Sequence, residues 1–600
     1  MPDSVQSTNG ARAWQHMVAM RDGVRLNTFV FLPAEGGPRF PVIVHRTPYG
    51  ITRSEGGANL DVTQAWLPAE GDPLRGSILR GYEAITSRGY AAVYQDTRGR
   101  YGSEGEDRVY ADDASDGFDT LEWIADQPWS NGRVGLSGSS AGATTAYAAA
   151  STRHPSLRAF FAQVGGSGIY DDVVYEGQSI EMERLWLWVA KNIPGLSATH
   201  RDHAAQSAGL DNREMDAAAE RAMAHYAALE SAKHDDPPFI RSEAWMRLPL
   251  VGYPDFSTWQ PFLDELVSQP VPSAFRDAHN FRRTIDIPGF HATSWYDIFL
   301  TSVLAAYAEI QARAGNQRLW IGPNGHYFIY EPNFWPRDPY FEWFDHWLKD
   351  EQTPIIDERP IHYSPRAWVE DTAAYRPDDW EYAERWPLPS AQPSRLHLSP
   401  GGELGATAPA DGERCFTYDP RDPVPTRGGR NMTIDVGPLD QRPLESHTNY
   451  GLRYLGPILN RPLVIAGPAQ LSIAVSSDCP DTDFVAKLVE VTPQGQAYLL
   501  MDGVIRAMLR DGTAEPKPLE PGTPVRIHIA LGHLHHTVDE GNRLRVDISS
   551  SNFPRRARNT NSGHLVIARD GEADIRVARN TVHHGAKHPA YLELFTLPQT

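Results

Sequence analysis

Residues 134–145 read VGLSGSSAGATT: a short apolar run, a turn of small residues, and the start of an Ala-rich, helix-forming stretch. Ser137, Ser139 and Ser140 crowd this turn. A Gly-rich, Ser-rich turn is common in α/β proteins, so the match to G-x-S-x-G over 138–142 does not decide by itself. What it specifies is a strand-to-helix elbow, in which small flanking residues relieve crowding and the central serine is presented at the turn. Ser139 is then the residue before the centre and Ser137 lies on the strand side, so the pattern selects Ser140. A serine hydroxyl is too basic to attack a carbonyl unaided. It needs a general base, and the base needs a carboxylate to orient it.

Working outward, the flanking sequence alternates strand and helix patterns. MVAMRDGVRLNTFVFLP (17–33) predicts a hairpin turning at Asp22-Gly23. PVIVHR (41–46), YAAVYQD (90–96), RVGLSG (133–138) and LRAFFAQVG (157–165) are short apolar runs. Helical stretches such as DGFDTLEWIADQ (116–127) separate them, which predicts a buried parallel sheet. From 168 to 284 the strand signal fades. EMERLWLWVAKNI, MDAAAERAMAHYAALESA and PFLDELVSQ have helical spacing, so an inserted helical region is expected. Strand patterns return in IPGFHATSWYD (287–297) and QRLWIGPNGH (317–326), with LTSVLAAYAEIQARAG as a helix between them. FEWFDHWLKDE predicts another helix and RPIHYSPR (359–366) a last strand.

WPLPSAQPSR (386–395) reads as a linker, and the short alternating strands beyond it predict an antiparallel sandwich. The expected fold class is therefore α/β, with a sheet domain (1–167 and 285–389), a helical cap (168–284) and a C-terminal β-sandwich (390–600). Two positions fit as partners of Ser140. Asp297 ends an apolar strand and His326 follows another, 29 residues later, which leaves room for one helix and one strand. The order Ser, Asp, His is the one that this strand–turn–helix framework uses.

With these positions named, the chain resembles the cocaine esterase and X-prolyl dipeptidyl-peptidase family of α/β-hydrolases over essentially its whole length. The resemblance is carried by RTPYG (46–50), YQDTRGRYGSEGE (94–106), GSSAG, SWYDIF (294–299), GPNGHY (322–327), DQRPLES (440–446) and SSSNFPR (549–555). It implies a C-terminal jelly-roll, Ser140 as nucleophile, His326 as general base and Asp297 as its orienter. Tyr49 resembles the tyrosine that helps to bind the oxyanion, together with the Ala141 amide. Ala141 stands where the family pattern has tyrosine, so the elbow is nearer the general form and the pocket has its own shape.

The resemblance also bears on substrate. Amino-acid ester hydrolases hold a substrate ammonium with carboxylates, two of them within three residues of the triad aspartate. Here Ile298, Phe299 and Leu300 follow Asp297, and Phe299 matches an acyl-pocket aromatic of the cocaine-esterase-like members. The expected reaction is cleavage of a carboxylic ester with a bulky or aromatic acyl group through an acyl-enzyme. An X-prolyl dipeptidyl-peptidase or an amino-acyl ester or amide hydrolase is the alternative, and an inactive binding protein a third. Substrate-binding candidates are Phe299 and the run LWLW (185–188), that is Leu185, Trp186, Leu187 and Trp188. Asp171, Asp172, Glu176, Glu181 and Glu183 are acidic residues of the cap, expected as mainly solvated helix residues.

Composition narrows the partners. The chain has 600 residues and a formal charge of −20, with no basic run, which argues against nucleic acid and anionic membranes. Its partner is expected to be a small-molecule ester, and a homodimer is compatible with the resemblance. No apolar stretch approaches membrane-spanning length, and MPDSVQSTNGARAWQHMVAM lacks a leader pattern, so a cytoplasmic protein is expected. Cys415 and Cys479 are expected as buried free thiols. GHLHHT (532–537) and TVHHGAKH (581–588) lack zinc-site spacing, and the acidic loop 101–117 lacks EF-hand order, so no metal and no cofactor is expected.

Overall fold

The computed structural model describes residues 5–6, 12–51, 81–231, 243–253, 256–331 and 334–598. Of the N-terminal stretch read for a leader, only 5–6 and 12–20 lie within these described residues. The chain opens with strands β1 (Val5–Gln6), β2 (Arg12–Ala19), β3 (Arg25–Leu32) and β4 (Phe40–Thr47). Helix α1 (Tyr82–Ser87), β5 (Ala91–Asp96), α2 (Asp113–Ala125), β6 (Ser130–Ser139), α3 (Ala141–Ala150) and β7 (Leu157–Gln163) follow. A small hairpin, β8 (Tyr175–Glu176) and β9 (Ser179–Ile180), leads into α4 (Met182–Asn192). Helices Ala198–Ala208, Asn212–Ser231, Glu243–Met246, Phe262–Val267 and Ala274–Ala278 complete the helical insertion among the described residues.

The chain then returns to the first sheet as β10 (Gly289–Tyr296), β11 (Gln317–Gly325), β12 (Ile361–Tyr363) and β13 (Glu381–Ala383). The eleven strands stand in the order β1-β2-β3-β5-β4-β6-β7-β10-β11-β12-β13. The run from β5 to β12 is parallel, and both ends of the sheet are antiparallel. Helices on both faces explain why β4, β5, β7 and β10 read as unbroken apolar runs rather than alternating ones. The hairpin at 17–33 forms as expected, its turn closed by bonds between Met20 and Val24 and between Gly23 and Met20.

Beyond residue 390 two antiparallel sheets face each other. Gln392–Leu398, Leu404–Gly405, Gly412–Tyr418, Leu463–Ser477, Val525–Val538, Ala578–His584 and Tyr591–Thr596 form one. Leu452–Leu455, Asp483–Val491, Ala497–Arg506 and Arg543–Ser549 form the other. The architecture is that of an α/β-hydrolase with an inserted helical cap and a C-terminal β-sandwich. No helix among the described residues is long and apolar enough to cross a membrane.

Three expectations need correction. The strand at 361–363 is not the last of its sheet, because β13 pairs antiparallel with it. The Pro-rich stretch is only partly a linker: from Gln392 it is a strand paired with Tyr591–Thr596, its outward residues exposed and therefore polar. Cys415 is exposed rather than buried, on the solvent side of Gly412–Tyr418, while Cys479 is buried as expected.

Candidate active site

Strand β6 ends at Ser139 and helix α3 begins at Ala141, so Ser140 alone makes the turn. Its φ of 53° and ψ of −123° place a non-glycine residue in a sparsely populated, strained region. The surrounding glycines make this possible. A Cβ on Gly138 would lie 2.0 Å from the Gly142 carbonyl oxygen, and one on Gly165 would lie 2.7 Å from that of Ser140. The Ser140 N–H donates to Gln163 O of the neighbouring strand, which ties the turn to the sheet. Ser137 lies buried within the strand in register with Phe161, and Ser139 with Gln163.

The sheet brings the two other predicted residues to the same edge. Asp297 follows β10 directly and His326 follows β11, its parallel neighbour. His326 Nε2 lies 3.1 Å from Ser140 Oγ, and His326 Nδ1 lies 2.7 Å from Asp297 Oδ1. The other Asp297 oxygen accepts from Thr293 Oγ at 2.8 Å, and the carboxylate is fully buried. A carboxylate against Nδ1 puts the imidazole proton there and leaves Nε2 to accept from the serine hydroxyl.

Tyr49 stands on the turn after β4. Its hydroxyl accepts from the Trp188 indole N–H at 3.3 Å, so its own proton remains available to donate elsewhere. Two features fix this turn. Gly50 has a φ of 84° and passes so close to Tyr101 that a Cβ would lie 2.6 Å from its ring. The next amide, Ile51 N–H, donates to Asp96 at 2.9 Å. Burial pushes the Asp96 carboxyl up to about 6, although Asn27 and backbone amides hold it. Ala141 is the first residue of α3, where an N–H has no acceptor inside the helix.

Beside Ser140 lies a pocket enclosing about 480 Å³ of empty space, counting its open mouth. Tyr49, Tyr110, Ala141, Ile298 and Phe299 line it from the sheet domain, Val173, Arg184, Leu185, Trp188, Val189 and Leu263 from the cap, and Met432 from the sandwich. The Phe299 ring stands edge-on to His326, with centroids 5.9 Å apart. Of the run 185–188, Leu185 and Trp188 reach the pocket, whereas Leu187 is buried and Trp186 packs edge-on against Phe256 inside the cap. Arg184 and Met432 escaped the sequence reading. An arginine inside an apolar helical run was a visible signal for the first, and nothing in the sequence points to the second.

Asp171 is exposed as expected, but Asp172, Glu176, Glu181 and Glu183 are partly or fully buried. Asp171 pairs with Arg276, and Asp172 with Arg282 and Ser167. Glu176 lies among Arg430, Arg555 and Arg556, and Glu181 pairs with Arg556. Glu183 accepts the Thr433 and Ile434 amides, which anchors the segment carrying Met432; burial raises its carboxyl. Charges at the junction between cap and sandwich need partners because burial removes their water, and arginines of the second domain supply them.

The histidines set aside as metal ligands have internal partners. His533 accepts from Trp386, His535 meets Pro365 O and His536 meets Glu490, while His583 and His584 meet Ser476 and Tyr454. Acidic residues of the loop 101–117 form ion pairs instead, Asp107 with Arg100, Asp113 with Arg46 and Asp116 with Arg98.

The chain is similar to known proteins over nearly its whole length. Residues 22–328 match the X-Pro dipeptidyl-peptidase (S15 family) profile, and residues 356–593 match the X-Pro dipeptidyl-peptidase C-terminal non-catalytic domain. A cocaine esterase of Rhodococcus sp. (strain MB1 Bresler) is 30% identical over 611 residues, covering 96% of this chain and 97% of its own. An aminopeptidase from the marine sediment archaeon Thaumarchaeota archaeon has the same fold with a TM-score of 0.73 at 22% identity, covering 100% of this chain and 99% of its own. An α-amino acid ester hydrolase gives 0.72 at 21%, covering 99% and 98%. A catalytic-domain match over half the chain, a second match over the sandwich and a relative aligned nearly end to end lead to one conclusion: the chain belongs to the X-Pro dipeptidyl-peptidase (S15) family of serine hydrolases.

Proposed function

We propose that this hydrolase cleaves carboxylic esters with a bulky or aromatic acyl group through an acyl-enzyme on Ser140. The observation that carries this reading is the unbroken chain Ser140–His326–Asp297 opening onto a pocket with no carboxylate among its described lining residues. His326 Nε2 takes the hydroxyl proton as Ser140 Oγ attacks the ester carbonyl carbon. Asp297 holds the imidazole tautomer and stabilises the cation that forms. Charge on the former carbonyl oxygen is met by the Tyr49 hydroxyl and the Ala141 N–H. The protonated His326 then gives its proton to the leaving alkoxide. A water deprotonated by the same nitrogen releases the acid and restores Ser140.

The S15 match favours a second reading, an X-prolyl dipeptidyl-peptidase or an amino-acyl ester or amide hydrolase. Both must hold a substrate ammonium, which calls for a carboxylate near the acyl group. Ile298 and Phe299 occupy the pocket wall beside Asp297, and the cap carboxylates are taken up by arginines and amides. The ester reading is therefore preferred, as it is over a non-catalytic binding protein, for which a strained Ser140 would be an unexplained cost. A cytoplasmic setting and a homodimer belong to the same proposal; the exposed free thiol of Cys415 suits a reducing compartment.

A panel of benzoyl esters, amino-acyl esters and aminoacyl-proline anilides tests it. Turnover of the benzoyl esters, lost by at least about 10⁴-fold in Ser140→Ala, is expected. Turnover confined to the proline anilides would reverse the order of the two readings.

A further inference from the structure

Among the described residues lining the pocket beside Ser140, Arg184 alone carries a charge. It precedes Leu185 on α4, and its side chain is only 7% exposed. Its guanidinium carbon stands 5.2 Å from the centre of the Phe299 ring. Nη2 donates to Val173 O at 2.8 Å, and Nη1 makes a long contact with Ile298 O at 3.4 Å. The Nε–H is buried and has no acceptor among the described residues.

The carboxylates around it are engaged mainly by other groups. Glu181 makes only a long ion pair with Nη2, at 3.8 Å, and pairs closely with Arg556. Glu176 sits among three other arginines and Glu183 caps two amides. Burial brings the Arg184 guanidinium down to about 10, which still leaves it charged at neutral pH. A buried donor almost always has a partner, and leaving one dry costs about 1–3 kcal/mol. In a pocket wall whose other described residues are aliphatic or aromatic apart from the Ser140 hydroxyl, the missing acceptor is one that the occupant brings. A planar guanidinium matches the two oxygens of a carboxylate better than it matches a single carbonyl.

We propose that Arg184 is a specificity-determining residue that receives a carboxylate at the far end of the acyl group, so that the preferred substrates are half-esters of dicarboxylic acids. This rests on the reading of the site as an esterase acyl pocket. The acyl chain would cross the face of Phe299 between Ser140 and the guanidinium, which suits an aromatic or short alkyl spacer. The net charge of −20 does not oppose this, because exposed charges are largely screened beyond about 8 Å at physiological salt. Removing a carboxylate from water is costly, and a pre-desolvated cation is what offsets it.

The test compares matched substrate pairs on the full chain: monomethyl terephthalate against methyl 4-carbamoylbenzoate, and monoethyl glutarate against ethyl 4-carbamoylbutanoate. Wild type is expected to favour the carboxylate member by about 10-fold or more in kcat/KM, chiefly through KM, as a charge-assisted hydrogen bond provides. In Arg184→Met that ratio falls to one or inverts, and in Arg184→Lys it is intermediate. Should Arg184→Met fail to fold, the wild-type ratios still decide. A preference for the carbamoyl member in both pairs overturns the proposal while leaving the esterase reading intact. If no ester is turned over and a serine-reactive phosphonate leaves Ser140 unlabelled, the esterase reading itself has failed, and this proposal with it.

Discussion

Ser140 carries its strain in the backbone, with φ at 53°, and the hydroxyl gains its aim from it. The groups around it have separable duties, which single substitutions should expose. Tyr49→Phe removes one donor to the oxyanion and is expected to lower kcat by about 10²–10³-fold with KM little changed, measured with a benzoyl ester. A change confined to KM would make Tyr49 a wall of the pocket only. Asp297→Asn keeps the shape but not the tautomer, and a loss of about 10³–10⁴-fold in kcat is expected. At this scale the triad was legible because each member sits at a strand end with a pattern of its own: GSSAG, SWYD and GPNGH. The pocket was less so. A helical period says that residues 185 and 188 share a face, but not which face meets the substrate, so Trp186 and Leu187 could be separated from their neighbours only once α4 was placed. Met432 is brought in by Glu183 across a gap of 249 positions, a pairing that no local pattern announces.

The elbow as an element depends on backbone packing as much as on the serine. A methyl group on Gly138 would collide with the Gly142 carbonyl 2.0 Å away, and neither backbone can yield without moving Ser140. Gly138→Ala is therefore expected to lose most of its activity even as folded protein, and to unfold at a lower temperature than wild type in a calorimetric scan. A fully active, unshifted variant would mean that the turn relaxes at no cost. Among the larger elements, buried strands such as β4 and β5 could be read from continuous apolar runs, and α2 and the helix Leu300–Ala314 from their period. The strands that the sequence shows least clearly share another property. Gln392–Leu398 and Gly412–Tyr418 lie with many residues exposed, and β13 is a three-residue edge, so burial left little apolar pattern to read.

At the scale of the molecule, the pocket exists only where sheet domain, cap and sandwich meet, and buried charges hold that junction. Asp483 of the sandwich accepts from Ser179 of the cap hairpin at 2.9 Å and from Asn559 at 2.7 Å. Burial, with the nearby Asp481 adding to it, pushes the Asp483 carboxyl up from 3.8 to about 7. The folded state thus binds this proton more tightly than the unfolded chain does. Its contribution to stability is full below about pH 4 and is lost as pH rises through about 7. Wild type should therefore lose more thermal stability between pH 5 and pH 8 than Asp483→Asn, by differential scanning fluorimetry; equal losses would remove Asp483 from this role. The three-part assembly also explains why domain order was legible in the sequence while the contacts between domains were not. Those contacts join side chains hundreds of residues apart, and they close a pocket over Ser140, the residue that this account makes the nucleophile. The most direct measurement of that claim is to quench the enzyme in acid during turnover of a benzoyl ester and map the acylated peptide by mass spectrometry. The account predicts a single benzoyl group on Ser140, absent from Ser140→Ala; acylation at any other residue, or undiminished turnover by Ser140→Ala, would contradict it.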